Sequence, residues 1–314
     1  MAGLSRAVFS DISNSKSTLL CPRHAISTNL SGTASFLRSD HRHFSISARY
    51  RSYNLVCSKS KNRAAGYMIR ASGAQTSQTL PPAHKTSPSA EVLKIWHNAD
   101  AVCFDVDSTV CIDEGIDELA EFSGAGEAVA AWTSRAMGGS VPFEEALAAR
   151  LSLFRPSASV VANYLQRHPP RLNPGIQDLV KNLKAKGVDV YLVSGGFRQM
   201  IEPVAALLEI PCQNIYANRL LFGNEGEYVG FDPEEPTSRS GGKATAVAKI
   251  KKEHGYKTLV MVGDGATDLE ARQPGGADLF ICYGGIQLRS KVAQAADWFV
   301  LSFDNLIKEL NSTT

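Results

Sequence analysis

The sequence of 314 residues lacks any apolar run of 18 residues, so it is not expected to contain a membrane-spanning helix. It also contains no internal repeat. Histidine is scarce. Beyond residue 72 the only histidines are His84, His97, His168 and His254, and none of them falls in a motif described below. We therefore expect any proton shuttle in this chain to be a carboxylate.

Cysteine is also sparse, and its spacing fits neither a metal site nor a disulfide framework. Cys21 and Cys57 lie near the N-terminus and Cys103 lies inside an apolar run, whereas Cys111, Cys212 and Cys282 are scattered. This usage predicts reduced structural thiols in a reducing compartment.

Glutamate is absent from residues 1–72, which carry eleven Lys or Arg and two acids, a net charge of +9. Because the whole chain carries +2, residues 73–314 carry −7, which argues against a nucleic-acid-binding surface. The N-terminal segment is rich in Ser and Thr, which favours a transit peptide to the chloroplast. The expected location of the folded protein is therefore the plastid stroma. The alternative is a disordered basic arm that binds anionic partners. Residues 73–87 are predicted to be a polar linker that contains proline.

The most informative stretch is Val102–Val110, an apolar run that closes on Asp105, Asp107 and two hydroxyl residues. This pattern predicts a buried strand whose carboxyl end delivers two carboxylates into a crevice, where open α/β sheets place their chemistry.

Further apolar strands are predicted at 188–193, 258–262, 279–282 and 298–301, and helical patterns separate them. This alternation predicts an α/β fold with a mostly parallel sheet covered on both faces. Residues 220–222 and 227–229 predict a small β-hairpin with a Gly-rich turn.

Between the first two strands of the sheet, helical periods occur at 116–122 and 143–154, with a loop at 136–142. Asn173 and Pro174 are expected to begin the next helix as its N-cap and first residue. The sequence therefore predicts a helical insert of about 65 residues.

Four short motifs occur in a fixed order. They are Asp105–Thr109, Ser194–Gly196, Lys243 and Gly263–Asp268. Together they resemble the haloacid dehalogenase-like phosphohydrolases, over roughly residues 88–310. Four segments resemble more narrowly the phosphoserine phosphatase branch of that superfamily, namely 105–118, 135–142, 193–198 and 240–243. The resemblance implies a Rossmann-like core at 88–116 and 184–314, with an inserted helical cap domain at 117–183.

A carboxylate with a pKa of about 4 is ionised at neutral pH, so Asp105 can attack phosphorus without a separate base. The resemblance assigns Asp105 as the nucleophile that forms an aspartyl-phosphate. It assigns Asp107 as the general acid and base.

Asp105, Asp107, Asp264 and Asp268 would converge if their two strands are neighbours in the sheet. Such a cluster of like charges needs a cation, and hard oxygen ligands favour Mg²⁺. By resemblance, the ligands are Asp105, the backbone carbonyl of Asp107 and Asp264, with Asp268 close behind.

The resemblance also implies a substrate site. Lys243 would neutralise the transferring phosphoryl group, while Ser194 and the backbone N–H groups of Gly195 and Gly196 would bind its oxygens. Glu114 and Arg150 would bind the ammonium and carboxylate of a phosphoamino acid. The complete set of matched substrate residues is Glu114, Met137, Gly138, Phe143, Arg150, Ser194, Gly195, Lys243, Thr267 and Arg289.

The expected activity is Mg²⁺-dependent hydrolysis of O-phospho-L-serine, the last step of phosphorylated serine biosynthesis. The resemblance also implies a homodimer, although no sequence feature marks an interface. One alternative is a related phosphatase or phosphotransferase that acts on another small phosphomonoester. A second is a non-catalytic binding protein, but none of the expected acids is missing. A dinucleotide-binding enzyme is disfavoured because the spaced glycines of that fingerprint are absent.

Overall fold

The computed structural model describes residues 85–137 and 141–312, which all belong to one compact unit, Leu80–Thr314. The predicted transit segment, most of the predicted linker and Gly138 lie outside the described residues. Within the described ranges, no helix has both the length and the apolarity needed to span a bilayer.

The described residues form eight strands in two sheets. In chain order the strands are β1 (Ala101–Phe104), β2 (Asp189–Phe197), β3 (Ile215–Asn218), β4 (Leu220–Phe222), β5 (Tyr228–Phe231), β6 (Leu259–Gly263), β7 (Leu279–Tyr283) and β8 (Trp298–Val300). Six of them make a parallel sheet in the order β3-β2-β1-β6-β7-β8, and β4 pairs with β5 as an antiparallel hairpin. The predicted parallel α/β fold and the hairpin are therefore confirmed.

Eleven α-helices accompany the strands within the described ranges. They are α1 (Ala90–His97), α2 (Gly115–Phe122), α3 (Gly126–Met137), α4 (Phe143–Phe154), α5 (Ala158–Arg167), α6 (Ile176–Ala185), α7 (Arg198–Leu207), α8 (Gly242–His254), α9 (Ala266–Leu269), α10 (Ser290–Ala295) and α11 (Phe303–Asn311).

Both faces of the parallel sheet are covered by helices. Along β1, Val102 and Phe104 lie in one apolar cluster with residues of α1, α6, α7 and α11. Ala101 and Cys103 alternate with them and lie in a second cluster with residues of α8 and α10. All four side chains are fully buried, as expected of a central strand whose successive residues point to opposite faces.

Helices α2 to α5, residues 115–167, lie between β1 and β2 in the chain and are called the insert below. Their apolar side chains form a third cluster, which includes Leu119, Leu147 and Leu151 and also Phe197 at the end of β2. The range expected for the helical cap domain, 117–183, ends inside α6. Because the apolar stripe of α6 packs on the sheet, α6 belongs with the core helices.

The two connections between the insert and the sheet run side by side. Cys111 and Leu172 form an isolated antiparallel bridge, and Ile112 N–H donates to the carbonyl of Arg171. The Arg171 guanidinium also forms a bidentate pair with the Asp113 carboxylate. The two chain connections of the insert thus run through one place.

Three local expectations differ from the structure. Asn173 does not cap α6; its side chain donates to the carbonyl of Thr109, and Gly175 occupies the N-cap position with a φ of 84°. β2 continues through Phe197, four residues beyond the strand predicted at 188–193, so Ser194–Gly196 is extended. Lys85, in the predicted linker, accepts a hydrogen bond from Phe299 N–H of β8 through its carbonyl.

Candidate active site

The chain makes a π-type turn where β1 ends, over Val106–Val110. Ser108 has a φ of 55° inside this turn, and Cys111 N–H donates to the carbonyl of Val106. The turn brings the carboxylates of Asp105 and Asp107 to the carboxyl edge of the sheet, next to the end of β6.

Lys243 bridges two acids at this edge. Its Nζ lies 2.6 Å from Asp105 Oδ1 and 2.7 Å from Asp268 Oδ1, and all three side chains are at least nine-tenths buried. Burial alone lowers the pKa of Lys243, but Asp105 and Asp268 raise that pKa by more, so the amine stays charged. Asp105 Oδ1 also accepts from Val106 N–H, whereas Oδ2 has no hydrogen-bond partner among the described residues.

The acids that follow β6 complete a cluster. Asp264 Oδ2 accepts from Arg289 Nε at 2.9 Å, and Asp268 Oδ2 accepts from Gly265 N–H at 2.9 Å. Burial and the charge of Asp105 raise the pKa of Asp264, and the same two causes raise the pKa of Asp268 to about 8. This clustering of acids is what the sequence predicted for neighbouring strands.

Three of these acids could hold a metal ion. One carboxylate oxygen each from Asp105, Asp264 and Asp268 lies within 4.8 Å of the other two, and all three residues are buried. A set of three carboxylates without sulfur or nitrogen suits a hard divalent cation. Asp268, which was expected behind the ligands, belongs to this trio, whereas the side chain of Asp107 does not.

Asp107 lies apart from the trio. Its Oδ1 accepts from Gly115 N–H at 2.8 Å. Burial, together with the charges of Glu114 and Asp105, raises the pKa of Asp107 to about 8. A carboxyl group with such a pKa is protonated in a substantial fraction of molecules at neutral pH, which suits a general acid.

The second motif lies on the neighbouring strand β2. Ser194 is fully buried, and its Oγ accepts from Gly196 N–H at 2.9 Å. A phosphate that accepts from the Gly196 amide, as expected from the sequence, would therefore have to replace this hydrogen bond. A Cβ on Gly196 would lie 3.0 Å from Asp107 Oδ2, so a larger residue at this position would press on the Asp107 carboxylate.

Two residues that the sequence did not indicate support this motif. Asn218, at the end of β3, donates to the carbonyl of Gly195 at 2.8 Å and accepts from Thr237 Oγ1 at 2.9 Å. Both side chains are buried. The role of Asn218 could have been predicted only if the four-residue strand β3 had been predicted.

Glu114 lies between the π-type turn and the insert. Its Oε1 accepts from Ser108 Oγ at 2.7 Å, and burial raises its pKa more than this hydrogen bond lowers it. Glu114 is therefore a partly buried acid that lacks an ion pair within the described residues.

Arg150, on α4, is 9% exposed. It donates to the carbonyl of Ala146 and, at 3.5 Å, to Thr133 Oγ1, but within the described ranges it forms no ion pair. Burial lowers its pKa, while Asp117, Glu114 and Asp107 act in the opposite direction through their charges. A buried arginine that lies in the field of three acids, with its fork not engaged by a carboxylate, can bind an incoming anion.

The other residues expected to bind the substrate form fewer polar contacts within the described residues. Phe143 begins α4, and its ring lies against Gly195, since a Cβ there would be 3.0 Å from Phe143 Cζ. Thr267 lies exposed in the first turn of α9, beside Asp268. Met137 ends α3, and Gly138 lies outside the described residues.

The chain has relatives of known function. The family model of the haloacid dehalogenase-like hydrolases matches residues 99–276. The chain is 69% identical over 224 residues to the chloroplastic phosphoserine phosphatase of Arabidopsis thaliana, which covers 71% of this chain and 76% of that protein. It is 50% identical over 221 residues to phosphoserine phosphatase of Rattus norvegicus, covering 70% of this chain and 97% of that protein.

Two solved structures share the fold of this chain. A structure of DsGPDH from Dunaliella salina superposes with a TM-score of 0.64 at 39% identity, covering 72% of this chain and 38% of that longer chain. A phospho-aspartyl intermediate analogue of phosphoserine phosphatase superposes with a TM-score of 0.59 at 29% identity, covering 68% of this chain and the whole of that one.

Proposed function

Because this chain belongs to the haloacid dehalogenase-like hydrolases, and within them to the phosphoserine phosphatase family, we propose that it hydrolyses O-phospho-L-serine to L-serine and phosphate. The observation that carries the proposal is the position of Lys243 between Asp105 and Asp268, buried at the carboxyl edge of the sheet. A nucleophile, a cation and a metal-binding acid lie together there.

In the first half of the reaction, Asp105 attacks the phosphorus atom of the substrate. An Asp105–phosphate bond forms and the bond between phosphorus and the serine oxygen breaks. Asp107, whose pKa is raised to about 8 by burial and by Glu114 and Asp105, donates its proton to the departing oxygen. Lys243 stabilises the negative charge on the phosphoryl oxygens.

In the second half, water attacks the phosphorus of the aspartyl-phosphate. Asp107, now ionised, accepts a proton from that water, the bond to Asp105 breaks, and phosphate leaves. Asp107 therefore returns to its protonated state and Asp105 to its carboxylate, so the cycle is closed.

The metal is proposed to be Mg²⁺. The buried trio of Asp105, Asp264 and Asp268 fits a hard divalent cation, and the backbone carbonyl of Asp107 is a further candidate ligand. When bound, such an ion neutralises charge on the phosphate and on the acids. Arg289 now pairs with Asp264 and would have to share that carboxylate.

Substrate choice is proposed to lie in the insert and at its junction with the core. Glu114 would bind the ammonium of phosphoserine and Arg150 its carboxylate, since neither has an ion pair within the described residues. Met137, Gly138 and Phe143 would line the pocket. The insert is proposed to act as a cap that excludes water when it closes.

A plastid location and a role in the last step of serine biosynthesis are part of the same proposal. The Ser-rich, basic and Glu-free composition of residues 1–72 supports a transit peptide. The word chloroplastic in the name of the Arabidopsis relative supports it independently. The homodimer implied by the resemblance stays a prediction.

The test is phosphate release by the full chain from O-phospho-L-serine, with Mg²⁺ and with a chelator. Asp105→Asn should abolish release, whereas Asp178→Asn, an exposed aspartate on α6, should leave it unchanged. O-phosphothreonine and sugar phosphates serve as competing substrates. Equal release from all of them would favour the alternative of a phosphatase for other small phosphomonoesters. No release from any would favour a binding protein.

A further inference from the structure

Helix α4 begins without a capping side chain of its own. Pro142 occupies the N-cap position and forms no side-chain hydrogen bond to the helix. The first backbone N–H groups of any helix lack partners within it, and Ser, Thr, Asp or Asn at the N-cap normally supplies one. In this structure another part of the chain supplies it.

Ser240 provides this partner from 97 residues away. Its Oγ accepts from Phe143 N–H at 3.0 Å. In return, the backbone N–H and the hydroxyl of Ser240 both donate to Glu144 Oε2, each at 3.0 Å. This reciprocal pattern is that of a capping box, in which a serine oxygen and a glutamate carboxylate exchange backbone amides. We call it the long-range capping contact of Phe143, Glu144 and Ser240.

This contact joins two parts of the candidate active site. On one side, Phe143 begins the helix that carries Arg150, and its ring lies against Gly195. On the other side, Ser240 lies three residues before Lys243, at the start of α8. The start of α8 is itself tightly packed, because a Cβ on Gly242 would lie 2.8 Å from Thr237 Cα.

We propose that Glu144 and Ser240 are positioning residues for the hydrolysis, and that their contact holds the insert in the arrangement that retains the substrate. It keeps Phe143 over Gly195 and fixes α4, with Arg150, relative to the segment that carries Lys243. Neither residue takes part in phosphoryl transfer, so the contact governs substrate retention more than the chemical step. This inference rests on the proposed function.

The kinetic test compares three variants of the full chain with a matched control. Glu144→Ala and Ser240→Ala should each raise KM for O-phospho-L-serine about fivefold, equivalent to about 1 kcal/mol, while kcat stays within about twofold. Glu144→Gln should keep the parent KM, because its amide oxygen still accepts both hydrogen bonds. Glu145→Ala is the control. Glu145 lies in the same helical turn and is exposed, and its side chain forms no hydrogen bond or ion pair within the described residues.

Amide hydrogen exchange tests the contact without reference to activity. In the substrate-free chain, protection in peptides covering 143–147 and 238–243 should fall in Glu144→Ala and remain at the parent level in Glu145→Ala. Unchanged exchange and KM in Glu144→Ala, or equal changes in both variants, would overturn the inference. A parent chain that released no phosphate from phosphoserine would instead overturn the proposed function, and the exchange result would still decide whether the contact exists.

Discussion

Lys243 Nζ lies 2.6 Å from Asp105 Oδ1 in a buried pair that joins the start of α8 to the end of β1. The same ammonium is the nearest cation to Asp268, which is completely buried. Removal of either partner of such a pair leaves an uncompensated charge in the interior, and this costs more than the pair itself contributes.

Lys243→Met should therefore lower both stability and activity. We expect a loss of about 3 kcal/mol in the free energy of unfolding, because Asp268 loses its cation. We expect kcat to fall by about 100-fold or more, because the phosphoryl charge loses its stabilising group. Urea unfolding and steady-state kinetics measure the two effects.

Lys251→Met is the matched control for this change. Lys251 lies eight residues further along the same helix and pairs with Asp278 at 2.6 Å, and neither residue belongs to a motif. Its replacement should lower stability but leave kcat of the folded protein unchanged. If both variants lost the same fraction of kcat, the assignment of Lys243 to the reaction would be wrong.

Gly196→Ala should reduce catalysis by crowding the general acid. The new Cβ would lie 3.0 Å from Asp107 Oδ2 and 3.2 Å from Ser194 Oγ, so Asp107 must move. Displacement of a proton donor by a fraction of an ångström should lower kcat about tenfold or more. Gly276→Ala, whose Cβ would lie 2.5 Å from the carbonyl oxygen of Ala271, should lower the melting temperature and leave kcat unaffected.

Arg150→Gln should alter substrate choice. If Arg150 binds the carboxylate of phosphoserine, KM for that substrate should rise about 50-fold, the loss expected for hydrogen bonds between charged groups. Phosphoethanolamine lacks the carboxylate, so its kcat/KM should change by less than about threefold. Lys181→Gln, at an exposed position on α6, should leave both values unchanged. A parallel loss on both substrates would contradict the assignment.

The metal-free protein should become less stable as the pH rises. The pKa of Asp107 is raised to about 8 by burial and by Glu114 and Asp105, whereas in an unfolded chain it is about 3.9. Between these values the folded state keeps a proton that the unfolded state has lost, so stability falls from about pH 4 to about pH 8.

Asp107→Asn removes that contribution. In the presence of a chelator, its melting temperature should exceed that of the parent at pH 8 and should fall less between pH 5 and pH 8. Some slope should remain, because burial also raises the pKa of Asp268 to about 8. Asp178→Asn, at an exposed position, should follow the parent at every pH, and a variant of Asp107 that also did so would refute the prediction.

The sequence predicted the sheet and the convergence of acids because both depend on local pattern. Apolar runs mark the buried strands, and a parallel sheet necessarily brings their carboxyl ends to one edge. β3 was missed because it has four residues and no distinctive flanking pattern. The π-type turn at Val106–Val110 was missed because no residue preference marks it.

Non-local contacts account for most of the remainder. Asn173 is a residue type that is preferred at N-caps, but in the folded chain its side chain donates to the carbonyl of Thr109 instead. Asn218 supports Gly195, and Ser240 caps a helix whose start is far away in the sequence. These partners are chosen by tertiary packing, which can override local preference.

The single junction between the insert and the sheet has a consequence for protein engineering. Because the two connections run together through the Cys111–Leu172 bridge and the Asp113–Arg171 pair, the insert is attached like a module on one stem. Most of the acids and the lysine lie on the sheet side of that stem. A foreign helical module with equally close ends could therefore be grafted at the junction, provided that it also supplies the backbone N–H that Gly115 donates to Asp107.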